Sequence, residues 1–209
     1  NPDVAVYTTD DLRNVRLAQT LTANNVNTAV FAGSDKVDNC VSAANGAVDL
    51  VRPIAQLRIG TTPESLDIRS TTTVTLKKSD LKVKGLSTTY NVATKAVGAD
   101  KSEFTYSEAD VPAETFKANN VDYQYVAMSY VGFASDLGAN IDVEFNINTS
   151  EGVISHEVVN VPVKPNYRTN IVGNLITASA DYNVSINDNW ETTEHNVKVV
   201  TVSTAADLQ

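Results

Sequence analysis

Ile141, Val143, Phe145 and Ile147 alternate with Asp142, Glu144 and Asn146, and nothing else in the chain restricts its fold so tightly. Side chains two residues apart share a face only in extended backbone. Residues 140–148 therefore read as a strand with one apolar and one wet face. The period recurs. Val74 and Leu76, then Leu81 and Val83, predict two short pieces across residues 71–84, separated by a Ser79-Asp80 turn. Residues 123–133, YQYVAMSYVGF, are apolar or aromatic on both faces, which predicts a central strand covered on both sides. Residues 153–163 form a further strand, with Pro162 and Pro165 marking its end, and residues 182–186 and 197–202 are short late strands.

Residues 164–177, KPNYRTNIVGNLIT, predict a strand entered through a proline turn. Tyr167, Thr169, Ile171 and Leu175 fall on one face; Arg168, Asn170, Val172 and Asn174 fall on the other, read as the outer face of a closing strand. Residues 48–59, VDLVRPIAQLRI, read as a strand too. Pro53 cannot donate to a ladder, so this strand is expected at a sheet edge or a bulge. Helix signals are few. Thr62 and Pro63 open one or two helical turns through Leu66, and residues 10–25 fit helix or strand equally. The expected class is all-β with at most short helical turns.

Among 209 residues, 42% are apolar, enough for a packed core. The 16 Lys and Arg against 25 Asp and Glu give a net charge of −9, which excludes a basic nucleic-acid surface. Lys77, Lys78, Lys82 and Lys84 read as a solvated strand face. Cys40 stands alone, so no internal disulfide forms, and its polar setting DNCVSA lacks the apolar run of a lipoprotein signal. No window approaches the ~18 consecutive apolar residues of a membrane helix.

The search for chemistry yields no catalytic residue, no cofactor-binding residue and no metal ligand. Nucleophilic catalysis needs a base beside the nucleophile. His156 follows Ser155, and neighbours on a strand point to opposite faces, so they form no dyad. His195 lies in a polar tail. Asn187, Asp188, Asn189 and Glu191 offer oxygens to a cation, but such residues are ordinary turn formers. Gly-rich phosphate loops are absent. Tyr90, Tyr106, Phe116 and Trp190 are candidate sugar-stacking aromatics, with core or edge packing the ordinary role. Asn148 and Asn183 begin glycan-acceptor triplets that an Asn- and Thr-rich chain produces by chance.

Three segments together resemble one family: VRPIAQLRIGT at residues 51–61, YQYVAMSYVGF at 123–133, and RTNIVGNLIT near 168–177, followed by YNVSIND. Their order and spacing resemble the fimbrillin-like cell-surface proteins of Bacteroides and its relatives, in a subfamily of unassigned function. The resemblance implies an antiparallel β-sandwich of transthyretin-like type, exported as a lipoprotein to the outer membrane and displayed on the extracellular face. It implies a non-enzyme acting in adhesion or as a pilus subunit, through strand edges and contacts with other protein subunits or domains, with host or glycan ligands as further partners. The alternative is a glycan-binding surface module of a polysaccharide-utilisation system, or an accessory domain of a polysaccharide-degrading enzyme. The sandwich domain is expected over residues 1–192, with its N-terminal part truncated. Residues 193–209 are expected to form a linker and the start of a following module. For strand docking, an unpaired edge is expected near residues 4–21 or 51–59.

Overall fold

A computed structural model of the chain describes residues 15–25, 30–32, 51–69, 72–176 and 181–187. Fifteen strands run through them: β1 Val15–Arg16, β2 Thr20–Thr22, β3 Ile54–Thr61, β4 Asp67–Arg69, β5 Thr72–Thr73, β6 Leu76–Leu86, β7 Thr89–Asn91, β8 Ala96–Val97, β9 Ser102–Asp110, β10 Thr115–Ala118, β11 Val121–Phe133, β12 Ala139–Thr149, β13 Gly152–Val163, β14 Arg168–Asn174 and β15 Asp181–Asn187. Helical structure among the described residues is the 3₁₀ turn Pro63–Leu66. It starts after Thr62 as expected, although the Thr62 side chain accepts no capping hydrogen bond. Instead the Ser65 hydroxyl donates to the Thr62 carbonyl at 2.7 Å.

Two five-stranded sheets make the sandwich. Sheet I has the order β10-β11-β3-β14-β15 and sheet II the order β13-β12-β6-β9-β2. Pairing is antiparallel except for β3 with β14 and β2 with β9. A small sheet β1-β7-β8 and the hairpin β4-β5 are attached to this body.

The core lies where period-two alternation places it. In β12, Ile141, Val143, Phe145 and Ile147 are buried while their neighbours are half-exposed. They meet Leu81, Val83 and Phe104 from the same sheet and Leu57, Ile59 and Ile171 from the opposite one. The β6 prediction needs one correction. No turn forms at Ser79-Asp80; β6 runs straight through. Ser79 is fully buried, and its hydroxyl accepts from Asn24 Nδ2 at 3.0 Å. A partner that satisfies the hydroxyl lets a serine keep an inward strand position.

A second correction concerns residues 51–59. β3 is no edge strand, since β11 flanks it on one side and β14 on the other, but its ladder with β11 does shift register, once at Ile54 beside Pro53. Pro53 stands just before the strand begins, where no ladder donor is needed. All eight β3 residues are buried. Ala55, Leu57 and Ile59 face the core, and Gln56 and Arg58 are covered on the other side.

Residues 10–25 resolve, where described, into β1 and β2. The short strand expected at residues 197–202 and the boundary expected near residue 192 lie outside the described residues, as do Cys40, Trp190 and His195.

Candidate functional site

The outer face of sheet I is unlike a wet sheet face. Arg58 Nε donates to Asn170 Oδ1 at 2.7 Å, and Arg168 Nε to Gln56 Oε1 at 3.1 Å. The Arg58 guanidinium lies 4.6 Å over the Phe116 ring, a cation–π contact. Phe116 packs with Tyr123, Tyr125 and Val172. The arginines press on one another: burial, then the Arg58 charge, lowers the pKa of Arg168. The predicted division of β14 into two faces holds, but its second face is no solvent face. Asn170 and Val172 are fully buried. β14 is also internal, between β3 and β15.

Sheet II shows the wet face that its pattern predicts. Lys77, Lys78, Lys82 and Lys84 are exposed. Lys78 pairs with Glu108 at 3.3 Å, and Lys84 pairs with Glu144 and Glu103. Asn146 Nδ2 donates to Asp80 Oδ1 at 2.8 Å, and the Ser155 hydroxyl to Asn146 Oδ1 at 2.7 Å.

Ser155 and His156 point apart, as strand geometry requires. Ser155 joins that outer network. His156 packs against Phe145 at 5.2 Å between ring centroids, and its Nε2 lies 2.7 Å from the Leu175 carbonyl. The three described aromatics considered for sugar stacking are buried. Tyr90 stacks on Phe133 at 5.1 Å, the Tyr106 hydroxyl donates to the Tyr130 carbonyl at 2.9 Å, and Phe116 lies under Arg58. Among the described residues, no three His, Cys, Asp or Glu side chains converge to hold a metal, and no helix is long and apolar enough to cross a membrane.

The two flanks of the sandwich close differently. On one, the chain leaves the sheet II edge at β2 and crosses to sheet I at Asn24. Asn24 N donates to the Met128 carbonyl and Asn24 Oδ1 accepts from Met128 N, both at 2.9 Å. Asn24 Nδ2 meanwhile donates to Ser79 Oγ and the Asp110 carbonyl at 3.0 Å. One side chain thus ties β11 to β6 and β9. Nothing in the sequence marks it beyond an Asn-Asn pair, which reads as a turn. On the other flank the sheets meet through side chains: His156 at the Leu175 carbonyl, and the Thr169 hydroxyl donating to the Pro162 carbonyl at 2.7 Å.

That second flank carries the longest edge strand among the described residues. β13 spans twelve residues and pairs with β12 alone among the described residues. Its C-terminal part is interrupted: Asn160 has φ 58° at a register shift, and Pro162 lacks a donor. Residues 152–159 are regular and hold no Lys or Arg. Val153 and Val159 are 64% and 53% exposed. Of the expected edges, residues 51–59 are internal; in 4–21, only the short β2 lies on a sandwich-sheet edge among the described residues.

At the C-terminal end of β13 the chain enters a cleft of about 300 Å³, lined by Arg52, Tyr90, Lys95, Asp136, Lys164 and Tyr167 among others. Lys164 Nζ sits 4.7 Å from the Tyr167 ring centroid. Burial, then the Asp136 charge, raises the Tyr90 pKa.

Solved structures give weak likenesses. A candidate cell adhesion protein from Bacteroides eggerthii is 12% identical at a TM-score of 0.42, covering 87% of this chain and 72% of its own. Another from Bacteroides ovatus is 14% identical at a TM-score of 0.39, over 74% of this chain and 49% of its own. A third, from Bacteroides uniformis, is 14% identical at 0.37, over 68% and 53%. The chain thus spans about half the length of the last two. No curated protein matches it. Residues 1–203 match one family, and the chain belongs to it: the family of unknown function DUF6562.

Proposed function

We propose that the chain works without catalysis, as a structural or adhesive module at a cell surface that engages an extended segment of a partner protein along a sheet edge. The observation that carries this reading is the free stretch of β13 at residues 152–159. An unpaired edge presents alternate N–H and C=O groups outward, and soluble proteins commonly guard such edges with lysine, proline or a bulge. Here the bulge and Pro162 sit at one end and the remainder has only Glu157 as a charged guard. A docked strand would gain main-chain hydrogen bonds, with Val153 and Val159 beside it as apolar contacts.

The test adds the missing guards. Extended peptides selected against the purified chain should perturb NMR signals of residues 152–159 and their β12 partners. The double variant Val153→Lys, Val159→Lys should keep its melting midpoint, because both positions are exposed, and should lose the peptides. Peptides that map instead to β10 or β15, or that bind the double variant equally, refute docking at β13.

A further inference from the structure

The cleft at the end of β13 reverses the charge balance of the molecule. The whole chain has 16 Lys and Arg against 25 Asp and Glu, yet Arg52, Lys95 and Lys164 meet at this cleft with Asp136 as the acid among its lining residues. Its volume of about 300 Å³ falls at the lower end of small-molecule sites.

Backbone conformation supplies an independent observation. Among the described residues, six non-glycines have positive φ, and five of them are asparagine, the residue that tolerates this region best. The exception is Lys95, at φ 58°. It ends the turn between β7 and β8, where the Asn91 side chain already accepts from Thr94 N at 3.0 Å. Asparagine or glycine would make this turn with less strain. A lysine held there puts a cationic residue on the lining of the cleft at the expense of local stability, and strain of this kind gathers at ligand clamps.

The groups present select the ligand. Clustered ammonium and guanidinium groups call for an anion. Asp136 calls for hydroxyl donors and disfavours a second negative charge nearby. An acidic peptide side chain would satisfy the cations but bring no hydroxyls to Asp136. We propose that this cleft binds a carboxylated saccharide, its carboxylate among Lys95, Lys164 and Arg52 and its hydroxyls donating to Asp136. This site is separate from the β13 edge and does not depend on strand docking.

The experiment is a calorimetric titration of the full chain with a glucuronate-containing tetrasaccharide, a neutral glucose tetrasaccharide and hexaglutamate. Only the glucuronate probe should bind. Lys95→Asn should keep or raise the melting midpoint, since asparagine suits the turn, and should weaken binding about tenfold, the loss of roughly one charge-assisted contact. Lys164→Ala should weaken it comparably. The Val153→Lys, Val159→Lys variant should bind the glucuronate probe as the parent does, so failure at the edge and failure at the cleft are separable. The proposal is overturned by no binding, by equal affinity for the neutral sugar, by a preference for hexaglutamate, or by undiminished binding in Lys95→Asn.

Discussion

Asp100 shows how much one exposed carboxylate can organise. It accepts from the Ser87 and Thr88 hydroxyls, each at 2.7 Å, and from the Thr89 hydroxyl at 3.1 Å. Ser87 in turn exchanges two backbone hydrogen bonds with Phe133, both at 3.1 Å, where β6 of one sheet meets β11 of the other. The hydrogen bond from Ser87, then those from Thr88, hold the Asp100 carboxyl well below the ordinary value of 3.8. A depressed folded pKa adds stability that is complete above the unfolded value and is lost as pH falls through the folded one. Asp100→Asn should therefore lower the melting midpoint at neutral pH, and the gap to the parent should narrow as pH drops below 3.8. A gap independent of pH would show that the carboxylate charge does not matter. The sequence offers only the hydroxyl-rich stretch GLSTT at 85–89 and an acid thirteen residues from Ser87, with no sign that they meet.

At the scale of elements, alternation in the sequence located the strands, and covering of the strands decided what it could not locate. β12 was fully legible because one face of it is wet. β3 and β14 were legible as strands, but not as internal ones: Pro53 pointed β3 to an edge or bulge, and arginine and asparagine at alternate positions of β14 look like solvent-facing residues. Their polar groups are paired across the sheet instead, Arg58 with Asn170 and Arg168 with Gln56. The aromatic cover on this face depends on a small residue beneath it. A Cβ at Gly60 would lie 2.6 Å from the Phe116 ring and 2.9 Å from Tyr123 Cβ. Gly60→Ala should cost about 1–3 kcal/mol, as overpacking does. Adding Phe116→Leu should return part of that loss, a non-additivity expected of touching residues. Denaturant midpoints of the two singles and the double decide it. The cleft was not legible for a different reason: its lining comes from residues 51–53, 90–95, 134–136 and 164–167, which only the fold brings together.

On the scale of the whole molecule, β2 and β15 lie in different sheets and on opposite flanks. β2 is at the end of sheet II from which the chain crosses to β11, and β15 is at the end of sheet I that touches β13. Tension applied through Thr20 and Asn187 loads both sheets at once and is transmitted across the sandwich. Resistance then rests on the apolar layer, which yields gradually, and on directional bonds that span it, which break abruptly. Asn24 makes such bonds to both sheets at once. In single-molecule pulling between those two positions, Asn24→Ala should lower the peak unfolding force by more than its equilibrium destabilisation implies. An equal fall in both would mean that the asparagine is merely another stabilising contact. With Asn24 on one flank and His156 and Thr169 on the other, the module becomes a mechanical fastener, rigid up to a threshold load and compliant beyond it.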